Sequence, residues 1–215
     1  MKNKNELESR SYNFEIRAED SEQGKVITGR PIVYNSRTDL GWFDEVIEVG
    51  ALDGTNLSDV RFLVNHDLSK IPLARSRHNN GNSTMQLSVD MQGLNIDWVK
   101  LDTENNAEAR ALYSAVERGD ITGMSFMFSI DDEEWENLES DHPTRHIRKI
   151  GSVVEVSAVT FPAYESTEIY ARSKEALENA RSALENARQR TAKSVDTDSE
   201  LALLKAKTEI LSKGV

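Results

Sequence analysis

The stretch Gly119-Asp120-Ile121-Thr122-Gly123-Met124-Ser125-Phe126-Met127-Phe128-Ser129 constrains this chain more than any other. A polar turn with two glycines runs straight into an apolar strand. At the junction a single serine stands between Met124 and Phe126. Strand alternation places Ser125 on the face opposite both neighbours. A small hydroxyl in that position is either filler in a crowded core or a nucleophile. The second role needs a base beside it and a group that orients the base. The rest of the sequence is read for those two groups.

The chain has 215 residues, enough for one substantial domain and an appendage. Only 38% of them are hydrophobic, which predicts a polar extension beyond a compact body. The absence of cysteine excludes disulfides, thiolate metal ligation and a cysteine nucleophile. No apolar run approaches the ~20 residues of a membrane span, so no membrane association is expected. The N-terminal lysines are followed by no hydrophobic segment, which argues against a secretory signal and for the cytoplasm. The net charge of −11 is unevenly placed. Residues 1–171 carry 17 Lys/Arg against 30 Asp/Glu, whereas residues 172–215 carry 9 against 7. An acidic body without clustered cations is not expected to bind nucleic acid.

Read in order, the pattern is mostly of period two. Tyr12, Phe14 and Ile16 alternate with polar residues as a first strand, with residues 1–9 frayed before it. Val26 to Gly29 and Ile32 to Tyr34 are interrupted by Pro31, which predicts an edge strand or a bulge. Trp42 to Val49 is β-like, Gly50 to Gly54 is a turn, and Val60 to Asn65 is a strand ending at His66-Asp67. Met85 to Val89 and Leu94 to Trp98 form a hairpin about Gln92-Gly93. The period then changes. Ala107, Ala111, Leu112, Ala115 and Val116 recur at helical spacing, with Asp102-Thr103 as N-cap and Gly119 as stop. Asp131 to Asp141 reads as an acidic loop or strand rim, and Val153 to Phe161 as a strand stopped by Pro162. Beyond residue 172 a near-repeat of seven residues sets Leu177 over Leu184 and Ala180 over Ala187, the seam of a short helical tail.

Of the four histidines, His66 is the best base, because a strand end holds its side chain rigidly. His78 lies in a polar turn. His142 and His146 have the spacing of a metal pair on a helix, but Pro143 between them opposes a regular helix, and no metal is assigned. Glu155 lies in a strand otherwise free of charge, so it either faces solvent or is buried and paired. A buried Glu155 bonded to a histidine would fix the ring's tautomer.

Several segments, taken together, resemble a known family. They are Phe43-Asp44-Glu45-Val46-Ile47-Glu48 before Gly50, Leu63-Val64-Asn65-His66-Asp67, Ile71-Pro72-Leu73-Ala74-Arg75 and Gly93-Leu94. They continue with Gly123-Met124-Ser125-Phe126-Met127-Phe128 and Glu155-Val156-Ser157-Ala158-Val159-Thr160-Phe161-Pro162-Ala163. Their order and spacing over residues 12–171 resemble the prohead (procapsid maturation) serine proteases of tailed bacteriophages, which are similar in fold to herpesvirus assembly proteases. The resemblance implies an α+β fold, a β-barrel ringed by helices over residues 1–171, with a C-terminal helical tail over 172–215. It implies Ser125 as nucleophile, His66 as general base and Glu155 as third member, with Ala163 or Tyr164 donating to the oxyanion. It implies no cofactor. The substrates it implies are scaffolding protein, or the scaffold-like segment of the major capsid protein, and the protein itself. The setting is the assembling procapsid in the host cytoplasm, and the relatives' activation by dimerisation points to a homo-oligomer. A non-catalytic capsid or tail structural protein on a related barrel is the alternative; it would need neither His66 nor Glu155 near Ser125.

Overall fold

The structure is a computed structural model that describes residues 7–12, 16–22, 24–160, 178, 180–193 and 205. Eleven strands and one helix are assembled from the described part of the body. The strands divide into two sheets. One runs β1(Leu7–Tyr12)-β10(Gly123–Glu136)-β11(Thr144–Val159)-β5(Asp44–Ile47)-β4(Arg37–Asp39), with β6(Val60–Val64) also paired to β11 and β7(Ala74–Ser76) paired to β6. The other runs β2(Ile16–Ser21)-β3(Gly24–Val33)-β9(Gly93–Lys100)-β8(Met85–Asp90). The expected barrel is not observed. The larger sheet ends in β1 on one side and β4 on the other, the four remaining strands pair only with one another, and no closed barrel forms among the described residues.

The sheets enclose a core of Ile27, Ile32, Phe62, Met85, Leu94, Ile96, Met124, Phe126, Phe128 and Val156, none of them exposed to solvent. Helix α1(Ala107–Glu117) closes on it with Ala109, Leu112, Tyr113 and Val116. Its N-cap is Asn106, whose side chain accepts from the N–H groups of Glu108 and Ala109, and not the earlier Asp102-Thr103. Gly119, at φ 77°, ends it as expected. Pro31 sits where the β3–β9 register shifts, between Gly29 and Ile32, so the bulge reading holds. Gly93 is required there as well: a Cβ on it would lie 2.0 Å from the Ile32 carbonyl oxygen.

Three elements differ from expectation. Residues 7–9, read as frayed, are the start of β1, and β1 and β2 belong to different sheets. The acidic segment after Ile130 is the second half of β10. Its carboxylates are matched across the ladder by Arg145, Arg148 and Lys149 of β11, as the Glu133–Arg145 and Glu134–Arg148 pairs show. β11 begins at Thr144 and not at Val153, which puts His146 on a strand, in keeping with the opposition of Pro143 to a helix there. A helix over 180–193 lies on the body, burying Ala180 and Leu184 against Phe43.

Candidate active site

The central strand β11 brings the site together. β10 pairs with it antiparallel on one side and β6 parallel on the other. In register, Ser125 of β10 stands opposite Ser157 of β11, and Ser157 stands beside Leu63 of β6. Residues directly opposite across a ladder share a face, so Ser125, Glu155 and Ser157 project to the same side. Met124, Phe126 and Phe128 point to the other side, into the core.

His66 reaches that face through a tight turn. Asn65 and His66 both adopt left-handed backbone conformations, with φ of 54° and 57°. Such conformations cost of order 1 kcal/mol or more and persist where neighbours enforce them. Here the Asn65 N–H donates to the Ala158 carbonyl at 2.9 Å, and its side-chain amide exchanges two 3.0 Å bonds with Thr160. The His66 N–H donates to Ser157 Oγ at 3.1 Å. The end of β6 is thereby locked to β11, and the imidazole is aimed along the sheet face.

His66 Nε2 contacts Ser125 Oγ, and His66 Nδ1 contacts Glu155 Oε1. Glu155 is 1% exposed and Ser125 is wholly buried. Of the two readings of Glu155, the buried, paired one is observed. A carboxylate can only accept, so Nδ1 carries the proton and the Nε2 lone pair faces the hydroxyl. Ser157 was not recognised as a site residue in the sequence. Its hydroxyl donates to Glu155 Oε2 at 2.6 Å while accepting the His66 N–H, so one side chain orients both the base's backbone and its carboxylate. The signal was its spacing: a serine two residues after Glu155 on one strand must share its face.

The other histidines lie elsewhere. His78 is exposed in its turn, beside a cavity of about 320 Å³ that none of the three site residues lines. His142 lies 3.2 Å from Asp44 and 3.7 Å from Asp39. His146 stands between Glu48 at 3.1 Å and Glu136 at 3.4 Å. The two rings have separate partners, so they do not form the pair their spacing suggested. Ala163 and Tyr164, expected at the oxyanion, lie outside the described residues.

A hydroxyl, an imidazole and a carboxylate in one hydrogen-bonded line form the constellation of triad serine hydrolases, which recurs on unrelated folds. The chain matches the family model of the caudovirus prohead serine protease over residues 12–182 and belongs to that family. It is therefore of a serine peptidase family, one of phage maturation. No curated protein and no solved structure matches the chain.

Proposed function

We propose that this protein is the serine endopeptidase of procapsid maturation in a tailed phage, with Ser125 as nucleophile, His66 as general base and Glu155 holding the imidazole. The observation that carries this reading is the unbroken contact series Ser125–His66–Glu155, made by residues far apart in sequence. His66 takes the Ser125 proton as the hydroxyl attacks the scissile carbonyl, and returns it to the leaving amine. Buried Glu155 stabilises the imidazolium formed between those steps. Ala163 and Tyr164 remain the proposed oxyanion donors.

The substrates in this reading are scaffolding protein or the scaffold-like segment of the major capsid protein, together with the enzyme itself, cut within the assembling procapsid. The herpesvirus-protease likeness and a homo-oligomeric active form belong to the same proposal. So does the division into a protease body and a tail after residue 171, a tail that tethers the enzyme to scaffold or is removed. Co-expression with the neighbouring capsid genes tests the reading. Wild-type protein is expected to yield shortened capsid or scaffold chains by mass analysis, and Ser125→Ala to leave them full length. Identical fragments from both would remove Ser125 from the mechanism.

A further inference from the structure

Ser125 is completely buried, and β1 lies against it. Among the described residues this strand is the edge of its sheet and pairs only with β10, antiparallel, with Ser11 opposite Ser125 and Arg10 opposite Phe126. An extended peptide recognised by a sheet edge lies in the same way. The side chains of Leu7 to Ser11 add nothing to the hydrophobic core. Leu7 is 41% exposed, while Glu8 and Arg10 are held by charge. β1 is therefore bound as a peptide ligand is bound, by ladder and side-chain hydrogen bonds.

Two contacts place one peptide bond of β1 at the nucleophile. Ser125 Oγ donates to the Arg10 carbonyl oxygen at 2.6 Å, and Ser11 Oγ donates to Ser125 Oγ at 2.8 Å. The Arg10 side chain turns to the opposite face and is 4% exposed. Its Nε and Nη2 meet the two oxygens of Glu45 at 2.5 and 2.7 Å, and its guanidinium lies 5.6 Å from the Phe128 ring centre. Glu45, on β5, is 1% exposed. A buried carboxylate that meets a guanidinium through both oxygens fits arginine in a way the single ammonium of lysine cannot match.

We propose that the β10 edge and Glu45 form the substrate groove, that Glu45 selects arginine immediately before the scissile bond, and that β1 is the enzyme's own first substrate, cut at Arg10–Ser11. This rests on the protease reading above. In the sealed state the Ser125 proton is shared between the Arg10 oxygen and His66 Nε2, so the bond is held close but unreactive. When that proton turns to His66 Nε2, Ser125 Oγ bonds to the Arg10 carbonyl carbon. The Arg10–Ser11 C–N bond then breaks, and the Ser11 nitrogen leaves as an amine with the proton from His66. Water adds to the Arg10–Ser125 ester, giving its proton to His66. The ester bond breaks, Ser125 recovers a proton, and Arg10 ends as a free carboxylate.

The test uses the full-length chain, denatured casein, and a synthetic peptide of residues 7–16 with Arg, Lys or Leu at the Arg10 position. Intact-mass analysis of wild-type protein is expected to show a chain beginning at Ser11, formed at a rate unaffected by dilution, while Ser125→Ala keeps its N-terminus. The processed enzyme is expected to cut the Arg peptide at least about 100-fold faster than the Leu peptide, with Lys between them. Glu45→Gln should collapse that Arg-to-Leu ratio measured within the variant itself. Cleavage of casein with the Arg10–Ser11 bond left intact, both in the chain and in the peptide, overturns the inference while the protease stands. Equal Arg and Leu rates, or an unchanged ratio in Glu45→Gln, overturn the role of Glu45. No cleavage of chain, casein or peptide overturns the inference together with the protease reading.

Discussion

At the scale of single residues, the site depends on how few atoms orient the base. Ser157 is the least replaceable of the supporting groups because it serves two masters at once, the His66 N–H and Glu155 Oε2. Removing its hydroxyl leaves a buried N–H and one carboxylate oxygen without that partner, a loss of about 1–2 kcal/mol in how firmly the imidazole is held. Ser157→Ala is therefore expected to lower kcat roughly tenfold with KM little changed, since substrate binding does not involve it. Stopped assays on the Arg peptide would show this, and a change confined to KM would contradict it. Ser125, His66 and Glu155 were legible in the sequence because each is chemically out of place in an apolar strand or at its end. Ser157 was not, because its one signal is its place two residues after Glu155, and its bond to the His66 N–H comes from the turn after β6.

At the scale of elements, legibility followed locality. The β8–β9 hairpin and α1 carry their own periodicity and turn residues, and both stand close to where the pattern put them. β1 and the second half of β10 do not. Leu7-Glu8-Ser9-Arg10-Ser11-Tyr12 has little strand propensity and is extended because β10 supplies a ladder. Asp131 to Glu136 is extended because distant basic residues on β11 neutralise it. The helix over 180–193 is intermediate. Its seam of Ala180, Leu184 and Ala187 was visible, but its contact was not: Ala180 and Leu184 pack on Phe43, beside Leu40, Trp135 and Leu138 of the body. Arg188 adds bonds to the Leu138 and Ser140 carbonyls at 3.0 and 2.7 Å. Leu184 is 5% exposed, so Leu184→Ala should destabilise this contact by about 2–3 kcal/mol. Thermal unfolding followed by tryptophan fluorescence would report it through Trp135. An unchanged transition would mean that the helix contributes nothing to the stability of the body.

At the scale of the whole molecule, one charge cluster ties β1 and the helix over 180–193 to the sheet. Glu8 and Arg10 come from β1, Glu45 from β5, Glu133 from β10 and Arg145 from β11, and Arg190 of the C-terminal helix reaches Glu133 at 3.2 Å. Burial pushes the Glu8 carboxyl up, but the guanidinium groups of Arg10 and Arg145 outweigh it and hold the pKa at about 2, against an ordinary 4.5. A carboxylate depressed in the folded state contributes stability that is complete above its unfolded pKa and is lost as pH falls through the folded one. The hold of β1 on the sheet should therefore be intact above pH 4.5 and weaken progressively toward pH 2. The comparison is best made in a Ser125→Ala background, where the chain stays whole, with and without Glu8→Gln. Glu8→Gln cannot ionise, so it should be less stable at neutral pH and lose less on acidification between those two values. Denaturant titrations followed by circular dichroism at several pH values measure both differences. If the two proteins lost stability in parallel from neutral pH to pH 2, Glu8 would not couple proton binding to the docking of β1. The strand over the nucleophile would then have to be held by its ladder and Arg10 alone.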